Sequence, residues 1–368
     1  MARYDLHQQT FVLSMAVNLA SGEKGSARDI EKALKQKLQT LLGTAAIKDL
    51  IGEWSLVWGP AVWQHPFDLR GYSDNAIAVF HNAASDTTVC AIAATNANSI
   101  FDWAVEDFWV SDKVRWQYSP ADGVPWLSAA TNFGIGMLLT LRDPQTGAFL
   151  PDYLNSEAST GTSLIFAGHS LAGALSPSLA MLLYGTQSAR QEWKQVLVYP
   201  TAGASPGNAA FARAFAEQFP PQTTGSQPWQ RWNTLLWNRL DVVPHAWCLD
   251  RMVKVPTLYH SSKLVKAELI PIVAYCLYTA GPDYAGLSNL VLQGTQRPGT
   301  IDDIMEFLKE MGYQHVEAYF PLLGVPEIAP YAAVSASPSL QSLLAAQGQA
   351  ARNAAAVAAS GVQDSLKF

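Results

Sequence analysis

The 368-residue sequence is poor in charge: charged side chains make up 15% of it, while 49% is hydrophobic. Soluble domains usually carry ~25% charged residues. This composition excludes a disordered chain, a collagen and a highly charged coiled coil, and it leaves ample apolar material for a core. Basic runs are missing as well. Lys and Arg number 24 against 30 Asp and Glu, for a formal net charge of −6. A mildly acidic chain without a basic stripe lacks the electrostatic footprint of a nucleic-acid binder. Cysteine is scarce, with only Cys90, Cys248 and Cys276. An odd, low count gives no disulfide framework, and no CxxC spacing suggests a zinc site, so no metal is expected.

A membrane span is also lacking. The most apolar late stretch, Leu264 to Ala280, contains Lys266, Glu268 and Pro271. It falls short of the ~20 apolar residues that a span needs. It reads as a buried helix, with an amphipathic segment touching a substrate or membrane surface as the alternative. At the N-terminus, the apolar stretch Phe11 to Ala20 is interrupted by Asn18 and preceded by Asp5. A secretion signal wants a cleaner apolar run behind basic residues. The stretch therefore reads as a helix of the folded domain. The default compartment is the cytoplasm, with secretion as the alternative.

What is present is alternation of strands and helices. Ala76–Phe80 and Thr88–Ala93 flank the turn formers Asn82–Asp86 and read as a hairpin. Thr162–Ala167, Gln195–Tyr199 and Thr234–Trp237 are short continuous apolar runs, as expected of strands buried on both faces. Helical stretches lie between them, including Leu171 to Tyr184 and Asn208 to Gln218. This pattern predicts an α/β fold with a mostly parallel central sheet flanked by helices. Residues 1–330 form the expected domain. From Tyr331 to Ser360, 12 of 30 residues are alanine. Residues 331–368 read as a helical or partly loose tail without a chemical role.

The strongest local signal is Gly168-His169-Ser170-Leu171-Ala172-Gly173, which follows one strand and opens a helix. A serine on a tight strand-to-helix turn presents its hydroxyl above the sheet edge, and small neighbours are needed because backbones pass closely there. The backbone N–H of Leu171, at the helix start, is placed to stabilise an oxyanion. The usual pattern is G-x-S-x-G; here Ala172 fills the fifth place and Gly173 follows. His169 is not the base, because neighbours at a sharp turn point apart. It reads as a structural or substrate-pocket histidine.

A nucleophilic serine needs a base, and the base needs an orienting carboxylate. In an α/β-hydrolase arrangement the order is Ser, acid, His. Asp241, in Asn238-Arg-Leu-Asp-Val-Val-Pro244, lies just past a strand and suits the acid. His315 suits the base, in a loop after a helix expected to span 302–311 and to end at Gly312. His260 is the runner-up. His245 stands too close to Asp241 along the chain to be oriented easily by it.

Together these segments resemble the class 3, fungal-lipase-like lipases of the α/β-hydrolase superfamily. Gly168–Leu175 is similar to that family's GHSLGGAL elbow. Val198–Phe211 resembles its "tfGsPrvGn…F" segment, and Asn238–Pro244 its "N..D.VP" loop. His315-Val-Glu-Ala-Tyr319 resembles its histidine followed by a tyrosine, and Ala91–Thr95 with Phe101-Asp-Trp103 its "FRGT…DW". The resemblance implies Ser170 as nucleophile, Asp241 as acid, His315 as base and Thr95 as a second oxyanion donor. It places Ile100, Trp103, Val105 and Phe108 near the acyl pocket or a lid helix, although their helical spacing also suits an ordinary core helix. Lid or cap elements are expected near 96–112 and 255–290. Three departures stand out. Ala93-Ala94 replaces the Arg-Gly before the threonine. Pro177 falls inside the elbow helix and should kink or shorten it. The 74 residues between acid and base leave room for an insertion.

The expected chemistry is ester hydrolysis through an acyl-enzyme, without metal or organic cofactor. The 12 Trp, 13 Tyr and 14 Phe favour an apolar, lipid-like acyl group, met at an oil–water interface. The alternatives are a non-catalytic binding module on the same fold and an acyltransferase using the same residues.

Overall fold

The computed structural model describes residues 2–64, 71–93, 110–117 and 123–329. Its centre is a seven-stranded sheet. The strands are β1 (Ser55–Trp63), β2 (Asn75–Asn82), β3 (Thr87–Ala93), β4 (Ser163–His169), β5 (Gln195–Thr201), β6 (Leu235–Asn238) and β7 (Asn289–Leu292). Their order across the sheet is their order along the chain. β1, β2 and β3 pair antiparallel, and every pairing from β3 to β7 is parallel. The expected hairpin is β2–β3. The three apolar runs are β4, β5 and β6, each extended by one to two residues at its C-terminal end.

Both faces of the sheet are buried, and the side chains alternate between them. Ile165, Ala167, Leu197 and Tyr199 face one core, shared with the N-terminal helix Leu6–Ala16 and the helix Ala27–Gly43. Leu164, Phe166, Val196 and Val198 face the other, shared with the helices Leu171–Tyr184 and Ala209–Gln218. This two-sided burial is why the central strands read as continuous apolar runs rather than as alternating ones. The N-terminal helix is buried from His7 to Ala16 and has no solvent face. It starts five residues earlier than its apolar stretch because Asp5 caps it, accepting from the Gln8 N–H at 3.0 Å.

A third cluster sits beyond β6, built from Leu240, Trp247, Tyr259, Val265, Leu269 and Phe307 among others. Its long element is the helix Lys263–Ala280, the apolar stretch noted in the sequence. That helix buries one side only. Leu264, Ile270 and Tyr278 are exposed, so the expectation of a buried helix holds for half of it. Among the described residues, no helix is long and apolar enough to cross a membrane.

Two local expectations are corrected. The elbow helix runs through Pro177 without being shortened; it spans all 14 residues from Leu171 to Tyr184. The helix expected to end at Gly312 spans Ile304–His315, because its last turn is tied into the core by Gln314 and His315 rather than released by the glycine.

Candidate active site

β4 ends one residue before Ser170, the nucleophile expected from the sequence. Ser170 lies at φ 65°, ψ −131°, a left-handed conformation that costs a non-glycine residue about 1–3 kcal/mol. The surrounding turn has no spare room. A Cβ on Gly168 would meet the Ala172 Cβ at 2.7 Å, and one on Gly173 would meet the Gly203 Cα at 2.8 Å. The glycine that makes the helix-to-strand contact is therefore Gly173, one place past the usual position, and Ala172 is accommodated because Gly168 lacks a side chain. Leu171 is the first residue of the helix. The first N–H groups of a helix have no intrahelical acceptor, so that amide is a free-standing donor by geometry.

The other two groups arrive from the carboxyl ends of later parallel strands. Asp241 follows β6 by three residues, and His315 closes the helix that follows β7. His315 Nε2 lies 2.8 Å from Ser170 Oγ. His315 Nδ1 lies 2.9 Å from both carboxylate oxygens of Asp241. A carboxylate at Nδ1 holds the proton on that nitrogen and leaves Nε2 as the acceptor facing the hydroxyl. The three side chains are buried, with Ser170 and His315 each 4% exposed and Asp241 0%.

Asp241 is held from several sides. Oδ1 accepts from the Val243 N–H at 3.0 Å, and Oδ2 accepts from the Tyr319 hydroxyl at 2.7 Å. The same phenol oxygen accepts from the Asn238 N–H at 3.0 Å. Burial, and then the neighbouring Asp241 charge, push the Tyr319 phenol well above its ordinary value, so it stays protonated and donates. The Asn238 side chain accepts from the Leu240 N–H and donates to the Gln314 backbone oxygen and side-chain amide oxygen, the last at 2.6 Å. Asn238 thus ties the acid loop to the residue preceding the base. Asn238 and Tyr319 entered the sequence reading only as motif letters; the hydrogen bonds they make to Gln314, Asp241 and each other join residues 76 to 81 positions apart and have no local signature.

His169 is buried and turned into the core. Its Nε2 donates to the His315 backbone carbonyl at 2.7 Å, and its Nδ1 lies 2.9 Å from Thr201 Oγ1. Both ring nitrogens are committed, so of the two roles read from the sequence the structural one fits and the pocket role is corrected. Burial, and then the neighbouring His315, lower its pKa to about 3. His260 is exposed, and its backbone N–H donates to Gln296 Oε1. It takes no part in the cluster. His245 donates from Nδ1 to the Asp241 backbone carbonyl at 2.8 Å, bracing the loop rather than sharing the carboxylate. Thr95, Ile100, Trp103, Val105 and Phe108 lie outside the described residues, as does the tail from 331. Among the described residues no group of His, Cys, Asp and Glu is arranged to hold a metal ion.

Comparison with known proteins converges on the same region. The family model described as Lipase (class 3) matches residues 126–249, which include the elbow and the acid loop. The crystal structure of M37 lipase is similar over 94% of this chain and 100% of its own, with a TM-score of 0.77 and 26% identity. A lipase from Rhizopus microsporus var. chinensis is similar over 67% of this chain and 71% of its own, with a TM-score of 0.42 and 17% identity. No curated protein matches. By its elbow, its acid loop and its likeness along almost the whole length of a solved lipase, the chain has an α/β-hydrolase fold and is similar to the class 3 lipases.

Proposed function

We propose that this carboxylic ester hydrolase works through Ser170, His315 and Asp241, on esters with lipid-like acyl groups. The observation that carries the assignment is the single imidazole bridging a serine hydroxyl at 2.8 Å and a buried carboxylate at 2.9 Å. In this reading Ser170 Oγ attacks the ester carbonyl while His315 Nε2 takes its proton. Asp241 keeps the imidazole oriented and stabilises its charged form. The Leu171 N–H binds the developing oxyanion, together with a donor contributed by Thr95. His315 then protonates the leaving alcohol. A water molecule deacylates the serine by the same route.

The low charge of the chain and its many aromatic side chains support an apolar acyl group over a charged one. Nothing in the triad itself restricts the acceptor to water, so transfer to an alcohol shares its first half-reaction. The test is Ser170→Ala assayed on p-nitrophenyl esters of short and long chains. Loss of roughly 10⁴-fold or more in kcat is expected, with no labelling by a fluorophosphonate. Undiminished hydrolysis by the variant, or a wild-type chain inert to the probe, would reject the serine mechanism and leave a binding module.

A further inference from the structure

The helix Lys263–Ala280 is apolar on two sides. Val265, Leu269, Ile272, Val273, Cys276 and Ala280 are buried against the third core cluster. Yet Leu264, Ala267, Ala274 and Tyr278 are exposed, at spacings of three, seven and four that place them on one stripe of the opposite side, with Ile270 exposed beside them. The exposure is large where the side chains are large: 63% for Leu264, 58% for Ile270 and 87% for Tyr278. The helix Leu249–Met252 precedes it in the same cluster, and this stretch adds Leu249 at 50% and Val253 at 54%. Among the described residues nine large hydrophobic side chains are exposed, and six of them, counting Tyr275 at 39%, lie between residues 249 and 280. A helix that is apolar all round normally has neighbours on every side. A patch concentrated in one element marks an interaction surface rather than scattered surface residues.

Charge says what kind of surface it fits. The chain carries −6 overall, yet residues 249–280 hold four cations, Arg251, Lys254, Lys263 and Lys266, against Asp250 and Glu268. Among the described residues, none of the three lysines forms an ion pair. Lys254 and Lys263 are exposed and Lys266 is half-buried. Aliphatic and tyrosine side chains interleaved with lysines on one exposed face are the composition of an element that lies in the plane of a lipid surface. Lysines there favour anionic headgroups. The stretch that leads into this helix is joined to the loop that carries Asp241. The Tyr259 hydroxyl donates to the Leu240 carbonyl at 2.8 Å, and Arg251 donates to the Pro244 carbonyl at 3.3 Å, so both ends of the acid loop are held by the stretch that leads into the helix.

We infer that the exposed face of Lys263–Ala280, continued by Leu249 and Val253, seats the protein on an anionic lipid surface. This rests on the proposed function for its purpose, but not for its test. The Ser170→Ala chain, which consumes no lipid, is sedimented with vesicles of phosphatidylcholine alone and of phosphatidylcholine mixed with phosphatidylserine. Binding is expected to the mixed vesicles and to weaken with salt. The triple replacement Leu264→Ser, Ile270→Ser, Tyr278→Ser should weaken it at least tenfold, and Lys263→Gln with Lys266→Gln roughly tenfold. In the Ser170 enzyme both sets should leave hydrolysis of a water-soluble short-chain ester unchanged, which also shows that the variants fold. Equal binding to both vesicle types, or binding indifferent to the triple replacement, overturns the inference. So does self-association of the full chain in sedimentation that the triple replacement abolishes, which would assign the face to a second copy. Failure to cleave the soluble ester with vesicle binding intact would instead sink the hydrolase reading and leave this one standing.

Discussion

Asp241 is a carboxylate with no exposed surface, and it lies among groups that each satisfy part of it. Tyr319 is the least replaceable of these, because its hydroxyl bonds Asp241 Oδ2 and the Asn238 N–H at once. A hydrogen bond to a buried charge contributes about 1.5–3 kcal/mol, and that stabilisation grows when the neighbouring imidazole becomes charged. Tyr319→Phe keeps the ring packing and removes only the hydroxyl. The expected result is a kcat lowered about 10-fold to 100-fold with KM little changed. A drop in KM alone, or no change, would deny the phenol a positioning role. His169 gives a pH prediction. Its pKa in the fold is about 3 against an ordinary 6.5, so between those values the unfolded chain binds a proton that the folded chain does not. Stability therefore falls as pH drops through 6.5, by up to roughly 4 kcal/mol as pH approaches 3. His169→Gln retains an amide donor for the His315 carbonyl and has no titrating group. Its deficit in urea midpoint relative to wild type should narrow from pH 7 to pH 4; a constant deficit would show that His169 does not titrate in this way.

His315 ends the helix Ile304–His315, and the placement of that helix depends on a buried chain of polar groups. Arg297 donates to Glu310 at 2.8 Å, Gln314 donates to the same carboxylate at 2.8 Å, and Gln314 accepts from Asn238. The Glu310 side chain is 3% exposed while that of Arg297 is 47%. Removing the arginine strands a buried charge; removing the charge does not strand the arginine, which reaches water. Arg297→Ala should therefore cost about 2 kcal/mol, and the double variant Arg297→Ala, Glu310→Gln should be the more stable of the two in urea melts. Simple addition of two losses would contradict the argument. This helix also marks where the sequence ceased to be readable. The elbow and β4 to β6 were legible because two-sided burial and a tight turn leave local marks: apolar runs, and glycines at fixed offsets. Asp241 and His315 were legible through chain order and motif likeness. The end of the helix was not, because Gly312 has open space around it and the turn beyond it is held by Asn238, 76 positions away from Gln314. β1 and β7 were missed for a related reason. The β7 pattern alternates exposed and part-buried positions at the sheet edge, and β1 is interrupted by Gly59-Pro60.

At the scale of the whole molecule, one sheet separates two cores, and the proposed active site lies where a third cluster meets its carboxyl edge. The face opposite the elbow helix is closed by the first helix of the chain. Asp5, at its start, accepts from Trp229 and Gln230. Gln8 donates to the Leu323 and Gly324 carbonyls, and Arg3 and Tyr4 both bond Glu327. The segment that follows the base, from Tyr319 to Glu327, is thus clasped by residues 3–8, and the two parts must fold together. Two kinds of contact hold this clasp, and their magnitudes differ. The Arg3–Glu327 pair has side chains 58% and 47% exposed, and an exposed ion pair contributes at most about 1 kcal/mol. Phe11 is fully buried, lying edge-on to Phe320 at 5.6 Å and to His169 at 6.1 Å between ring centroids. Truncating such a ring to Ala costs about 3–5 kcal/mol in lost burial and cavity. Phe11→Ala should therefore lower the urea midpoint several times more than Arg3→Ala does. Because Phe11 backs His169, which holds the His315 carbonyl, it should also lower kcat on a soluble ester at temperatures where the variant is still folded. Loss of stability with an unchanged kcat would mean that the N-terminal helix closes the core without bracing the base.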